Sequence, residues 1–193
     1  MQRIIAGRLG GRRLLALPTK APVRPTGERV REAIFSALHD RVIDARVLDL
    51  FAGSGALAIE ALSRGAAHAV VVDRDPSIVR HLTAQFDALA LSAQVTIVHA
   101  EAREFLATSG RGAPFDLVFL DPPYDDGTST CAACLAALAD PPWLADDADV
   151  VVERARIRGS APPLAVPRAL TVRASRDYGQ TTVDFLRGPA RPR

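Results

Sequence analysis

Short apolar runs alternate with helical patterns between residues 46 and 152, and this alternation constrains the fold more than any other feature of the chain. The runs that predict strands are 47–51, 68–72, 95–98, 115–120 and 150–152. The patterns that predict helices between them are 57–64, 76–91, 102–108 and 128–139. Strands that are apolar throughout and separated by helices predict a parallel sheet covered by helices on both faces, a Rossmann-like α/β fold.

Both ends of the chain depart from this alternation. Segments 169–175 and 181–186 predict two antiparallel strands joined around Asp177-Tyr178-Gly179. At the N-terminus, segments 3–6 and 12–17 flank three glycines and predict a small hairpin, followed by a proline-containing linker and a helix at 28–38. We therefore predict an N-terminal extension of residues 1–27 and a main domain of residues 28–193.

Size and composition limit the classes of protein to consider. The chain has 193 residues, 48% of them apolar, with a net charge of +2, which is typical of a single globular domain with a real core. No stretch approaches the roughly 20 uninterrupted apolar residues of a membrane span, and the N-terminus lacks the apolar segment of a signal peptide. We expect a cytoplasmic protein.

The small net charge conceals a cluster of basic residues. Residues 1–31 contain eight basic side chains against Glu28 alone, whereas the remainder carries 16 basic and 21 acidic residues. A basic arm on a mildly acidic body predicts a polyanionic partner that binds through the arm.

The tetrapeptide Asp121-Pro122-Pro123-Tyr124 follows the apolar run 115–120. It places a carboxylate, backbone carbonyls and an aromatic ring at one strand end. This group suits a flat substrate with an exocyclic amino group, such as a nucleobase. A rigid exit turn is the alternative interpretation of the two prolines.

A glycine-rich turn, Asp49-Leu50-Phe51-Ala52-Gly53-Ser54-Gly55, follows the first predicted strand and precedes a helix. It is not a phosphate-binding P-loop, because no Gly-Lys-Ser/Thr follows. Glycines there permit a tight turn and close approach of a ligand to the backbone. The carboxylate of Asp49 would repel a pyrophosphate and favours an ammonium group or bound water.

Acidic residues also follow the second and third predicted strands. Asp73 stands where doubly wound folds bind the two ribose hydroxyls of a nucleoside. Glu101 has two possible roles, accepting from an adenine amino group or capping the next helix. Together with the glycine-rich turn, they predict a pocket for an adenosine that bears an amino acid and no phosphates, which is S-adenosylmethionine (SAM). The predicted cofactor-binding residues are Asp49, Phe51, Gly53, Ser54, Gly55, Asp73, Arg74, Glu101 and Ala102.

Cys131 and Cys134 form a lone C-x-x-C pair in a run that predicts a helix. No second pair or nearby histidine completes a four-ligand zinc site, and the flanks are not those of a thioredoxin-like turn. We predict two buried or half-buried thiols and no metal.

These motifs resemble those of class I methyltransferases that act on exocyclic amino groups. Further segments are similar to the bacterial RsmD family: Arg3-Ile4-Ile5-Ala6-Gly7, Gly10-Gly11-Arg12-Arg13-Leu14, Arg24-Pro25-Thr26, Arg29-Val30-Arg31-Glu32 and Tyr178-Gly179-Gln180-Thr181. The resemblance covers nearly the whole chain. Glu101 is a departure, since this family more often has Asp there.

The resemblance implies a seven-stranded sheet of order 3-2-1-4-5-7-6 with strand 7 antiparallel. It implies a monomeric enzyme that methylates guanine N2 at nucleotide 966 of 16S rRNA, within an assembled or assembling 30S subunit. The implied catalytic residues are Asp121, Pro122, Pro123 and Tyr124. The implied RNA-binding residues are Arg3, Arg8, Arg12, Arg13, Arg24, Thr26 and Arg29.

The sequence is also compatible with other functions. A DNA adenine-N6 or cytosine-N4 methyltransferase can use the same tetrapeptide, although this compact chain has no large target-recognition domain. Methylation of a protein glutamine amide is a second alternative, but those sites more often have Asn in place of Asp121. A non-catalytic RNA-binding protein of the same fold is a third alternative, and a measurement of SAM binding would distinguish it from an enzyme.

Overall fold

The computed structural model describes residues 2–18, 27–108, 110, 112–123, 127–156 and 159–190. The strands are β1 Arg46–Asp49, β2 His68–Asp73, β3 Val95–His99, β4 Phe115–Leu120, β5 Leu144–Ala155, β6 Thr171–Tyr178 and β7 Thr181–Arg187. The helices are α1 Glu28–Leu38, α2 Ala56–Ser63, α3 Pro76–Ala88, α4 Ala102–Leu106 and α5 Gly127–Leu138. Single 3-10 turns follow α1 and precede β3.

All seven strands form one sheet of order β3-β2-β1-β4-β5-β7-β6. The pairs from β3 to β5 are parallel, and β7 runs antiparallel to both of its neighbours. The predicted fold class and strand order are therefore confirmed. The order reverses between β1 and β4, so a crevice opens there at the carboxyl ends of the strands.

Both faces of the sheet are buried because the central strands are apolar at successive positions. Val47, Val71 and Phe119 point to the face covered by α1, α2 and α3. Leu48 and Val118 point to the opposite face, where α4 and α5 pack. We call these the α1–α3 face and the α4–α5 face. Because side chains alternate along each strand, this assignment also tells on which face of the sheet each polar side chain at the strand ends lies.

Strand β5 is much longer than the predicted segment 150–152, so that prediction was wrong in extent. The pairing of Phe115 with Leu144 and of Leu117 with Asp149 leaves a bulge in β5, and Asp147 in this bulge has a φ of +57°. The polar residues of the bulge hid the first half of the strand, since the sequence there lacks a continuous apolar run.

The N-terminal segment pairs as predicted but forms no extended strand in residues 2–18. A single antiparallel bridge joins Arg3 to Arg13, with hydrogen bonds from Ile4 N to Arg12 O (2.9 Å) and from Leu14 N to Gln2 O (2.9 Å). We call residues 2–17 the N-terminal hairpin. Among the described residues no helix has the length and apolarity needed to cross a membrane.

Candidate active site at the carboxyl edge of the sheet

Asp49 is the last residue of β1 and lies at the floor of the crevice. It is 1% exposed, and neither carboxylate oxygen has a hydrogen-bond partner among the described residues. Burial, and after it the negative charge of Asp121, raise the pKa of Asp49 to about 7 against the opposing effect of the nearby backbone N–H groups of Phe51 and Ala58. A buried acceptor of this kind matches a cationic ligand, because an ammonium group would satisfy and neutralise it.

The glycine turn after β1 depends on backbone conformations that other residues rarely adopt. Gly53 and Gly55 have φ values of +50° and +74°, and Gly55 N donates to Ala52 O at 2.7 Å. A Cβ atom at Gly55 would lie 2.9 Å from Cδ2 of Leu82 in α3. Gly55 therefore serves both the turn and the close packing of α2 against α3, which brings the start of α2 to the crevice.

Asp73 closes this turn from the end of β2. Its Oδ2 accepts from Gly53 N at 3.0 Å and its Oδ1 accepts from Asp75 N at 2.9 Å. Burial raises the pKa of Asp73, and the two backbone donors oppose that shift. Each carboxylate oxygen can accept a further hydrogen bond, so Asp73 can hold the turn and still bind ligand hydroxyls.

The loops around Asp73 are fixed by side-chain contacts. The Nε2 of His99, at the end of β3, lies 3.1 Å from the carbonyl oxygen of Arg74, whose side chain is exposed. The carboxylate of Asp75 caps α3 by accepting from Ser77 N at 2.7 Å. These contacts hold the segment after β2 against the end of β3.

Glu101 caps α4, which is the second of its two predicted roles. Its Oε2 accepts from Arg103 N at 2.7 Å and from Glu104 N at 3.1 Å. Ala102 is buried beside it. The structure thus gives Glu101 a structural function, and an adenine contact remains a prediction.

The tetrapeptide after β4 faces the same crevice. Asp121 is half-buried, Pro122 is buried and Pro123 is exposed, while Tyr124 lies outside the described residues. Leu50 N donates to Phe119 O at 3.2 Å, which ties the end of β1 to that of β4. Asp121 is close enough to Asp49 for its negative charge to raise the pKa of Asp49. The structure therefore brings the two predicted motifs together.

The cysteines take no part in this site. Cys131 and Cys134 are buried in the α4–α5 core, and burial raises the pKa of each thiol to about 12. Such thiols are unreactive at neutral pH. In the described part of the chain, no three side chains of the metal-ligating types are grouped closely enough to hold a metal ion.

Sequence reasoning missed how the N-terminal hairpin is held. Glu60 of α2 is fully buried and accepts from Ile5 N at 2.8 Å and Ala6 N at 3.0 Å. The guanidinium of Arg64 contacts it at 2.7 Å, and that of Arg31 in α1 lies 3.7 Å away, itself fully buried. The sequence signal for this attachment was Glu60 itself, a carboxylate within the mostly apolar helix α2.

One turn further along α2, Ser63 extends the same attachment. Its Oγ donates to Ala6 O at 2.6 Å and accepts from Leu9 N at 3.0 Å, while its carbonyl accepts from Arg8 N at 2.8 Å. Gly7 passes so close that a Cβ atom there would lie 2.0 Å from the Ser63 carbonyl oxygen. The hairpin is therefore fixed to the domain through α2.

Two arginines of the hairpin, Arg8 and Arg12, lie away from the crevice. Arg12 donates to the carbonyl of Ala88 at the end of α3 (2.9 Å), and Arg8 donates to Gln94. Because α3 begins beside Asp73 and has 13 residues, its far end is roughly 18 Å from the crevice. Arg3 pairs with Glu28, the side chains of Arg13 and Arg29 are exposed, and Arg24 and Thr26 lie outside the described residues.

Comparisons with known proteins agree with this geometry. The family model described as "Conserved hypothetical protein 95" matches residues 2–187. A ribosomal RNA small subunit methyltransferase D of Escherichia coli is 40% identical over 151 residues, covering 78% of this chain and 73% of that protein. The protein of the same name from Haemophilus influenzae is 34% identical, covering 92% and 89%. The solved structure of yhhF from Escherichia coli, a proposed methyltransferase, has a TM-score of 0.84 at 35% identity and covers 98% and 99%.

Proposed function

The chain belongs to the ribosomal RNA small subunit methyltransferase D (RsmD) family, and from that premise we propose that it transfers a methyl group from SAM to the exocyclic N2 of guanine 966 in 16S rRNA. The observation that carries this proposal is the meeting of Asp49 and the 121–123 segment in one crevice. The first motif offers a site for the methyl donor, and the second offers acceptors for an amino group.

The residues of the crevice fit SAM. The buried carboxylate of Asp49 would accept the ammonium of its methionine part, and the positive φ values of Gly53 and Gly55 shape the turn whose backbone would lie against the cofactor. Asp73 would bind the ribose hydroxyls through its remaining acceptor capacity. When bound, SAM supplies a methyl group that is already activated by its sulfonium. The rest of the cofactor is then a neutral thioether, which is the leaving group.

The chain has to present the nucleophile. The lone pair of an exocyclic amino nitrogen is delocalised into the base, which makes it a weak nucleophile. The carboxylate of Asp121 and the carbonyl of Pro122 would accept its two N–H groups and direct the lone pair toward the crevice. The negative charge of Asp121 would also stabilise the positive charge that develops on the nitrogen. Tyr124 would stack on the base once it has left the RNA helix.

The exposed cations define a second contact with RNA. Arg8 and Arg12 stand roughly 18 Å from the crevice, at the far end of α3. RNA that reaches both places must extend well beyond the target nucleotide, which favours a structured substrate such as the 30S subunit. One chain carries both the hairpin and the crevice, so a monomer suffices.

The test is transfer of labelled methyl groups to 16S rRNA, both free and within 30S subunits that lack this modification, followed by nucleoside mass spectrometry. We expect N2-methylguanosine at position 966, with the 30S subunit the better substrate. Label in N6-methyladenosine would overturn the choice of base. Binding of RNA without any transfer would favour a non-catalytic protein of the same fold.

A further inference from the structure

Glu153 lies beside Asp121 at the carboxyl edge of the sheet. Strands β4 and β5 are parallel, and Leu120 pairs with Val152. Asp121 is the first residue beyond β4 and Glu153 is the next residue of β5, so the roughly 4.8 Å spacing of adjacent strands brings the two residues close together.

The face they share is the one that carries Asp49. Two residues before each carboxylate, Phe119 in β4 and Val151 in β5 both pack in the α1–α3 core. Because side chains alternate along a strand, Asp121 and Glu153 project to that face as well. Asp49 follows Val47 of the same core by the same rule. Three neighbouring strands thus carry a carboxylate on this face at or near their carboxyl ends.

Glu153 is no ordinary surface carboxylate. It is 5% exposed, and its partner in register on β7, Val183, is fully buried. Burial of a carboxylate close to another one is unfavourable, and it persists where the group has a specific task. Each carboxylate has several acceptor sites, so a ligand that brings two adjacent hydrogen-bond donors to this edge can donate to Asp121 and Glu153 together.

The Watson–Crick edge of guanine has this pattern. Its N2 amino group is adjacent to N1–H, so it presents donors side by side. In adenine and cytosine the ring nitrogen next to the amino-bearing carbon is an acceptor, which a carboxylate would repel. Taking the proposed amino methylation as given, we propose that Glu153 is the residue that specifies guanine, accepting N1–H while Asp121 and Pro122 accept the N2 amino group.

The substitution Glu153→Gln tests this role, because an amide can turn its NH2 group toward a ring-nitrogen acceptor. The matched RNAs are two 16S rRNAs assembled by ligation and incorporated into 30S subunits, with guanine or 2-aminopurine at the methylated position. 2-Aminopurine keeps the N2 amino group but has an unprotonated N1. It also lacks O6, and that loss affects the wild type and the variant equally, so the ratio of their preferences isolates N1–H.

We expect the wild-type protein to prefer guanine over 2-aminopurine in kcat/KM by roughly 10- to 100-fold. In Glu153→Gln the preference should shrink or invert, while the Kd for SAM stays unchanged. Glu104→Gln, at an exposed position on α4, is the control and should keep the wild-type preference.

Two results would overturn the inference while leaving the proposed function intact. The wild type could methylate both bases equally well. Alternatively, Glu153→Gln could lower transfer to both bases by the same factor together with a lower Tm, which is the behaviour of a purely structural residue. Methylation of adenine, or none at all, by the wild type would instead refute the proposed function, and the inference would fall with it.

Discussion

The substitution Asp49→Asn should stabilise the ligand-free protein at alkaline pH while weakening SAM binding. Burial moves the pKa of Asp49 from 3.8 to about 7. A difference of about three pKa units corresponds to about 4 kcal/mol between the charged and neutral forms of this side chain. Asparagine has nearly the same shape and never acquires the charge.

The sign of this pH dependence follows from whether the folded or the unfolded protein holds the proton on Asp49. Below about pH 4 Asp49 is protonated in both the folded and the unfolded protein, so it costs nothing. As the pH rises from about 4 to about 7, the unfolded chain loses this proton while the folded chain keeps it, and the free energy of unfolding falls. Above about pH 7 the full cost of the buried charge is present. Asp49→Asn does not undergo this loss of stability. The raised pKa of Asp73 also makes stability depend on pH, but this contribution cancels when the two proteins are compared, because both contain Asp73.

The assay is urea unfolding of the ligand-free proteins at about pH 5 and about pH 8, followed through the fluorescence of Trp143, the single tryptophan. The wild type should lose about 2.7 kcal/mol relative to Asp49→Asn between these two pH values, because about two of the three pKa units lie above pH 5. The affinity of the variant for SAM should fall roughly tenfold to a hundredfold, since a hydrogen bond to a charged group is lost. Parallel pH dependence in the two proteins would refute the reasoning.

Three other substitutions test the turn, the hairpin and the arm. Gly55→Ala should cost more stability than Gly11→Ala, which has a similar positive φ but open space around its Cβ position; equal losses would mean that the contact with Leu82 is unimportant. Glu60→Ala should destabilise the protein by roughly 3–5 kcal/mol, because it leaves the buried guanidinium of Arg31 without its carboxylate. It should also speed hydrogen exchange of the amides of residues 5 and 6, which lose their acceptor; unchanged exchange rates would contradict the attachment of the hairpin through Glu60. Arg13→Ala should make the negative slope of the logarithm of the rRNA binding constant against the logarithm of salt concentration shallower by about 1. An unaltered slope would remove Arg13 from the interface.

The central sheet could be predicted from the sequence because its strands are apolar on both faces and separated by helices. Segment 115–120 matches β4 at both ends, and segment 28–38 matches α1. Such strong patterns depend little on tertiary context. The strand order came only from the family resemblance, since periodicity does not say which strands are neighbours.

What the sequence could not show depends on contacts between distant segments. Glu60 and Ser63 belong to an apolar helix and contact the hairpin more than fifty residues away in sequence. Glu153 follows the apolar segment 150–152 as Asp121 follows segment 115–120, but only the pairing of Leu120 with Val152 shows that the two segments are neighbours. The capping role of Glu101 was one of two predicted roles, and hydrogen bonds from two backbone N–H groups decide that it caps α4.

The most direct test of the proposed chemistry separates SAM binding from methyl transfer in Asp121→Ala. The rate of transfer to 30S subunits is measured at saturating SAM, together with the Kd for SAM, and Asp140→Ala, exposed beyond the end of α5, serves as the control. The proposed role of Asp121 predicts that the variant binds SAM about as tightly as the wild type and transfers methyl groups roughly 100-fold more slowly or worse. Near-normal transfer by Asp121→Ala would contradict it.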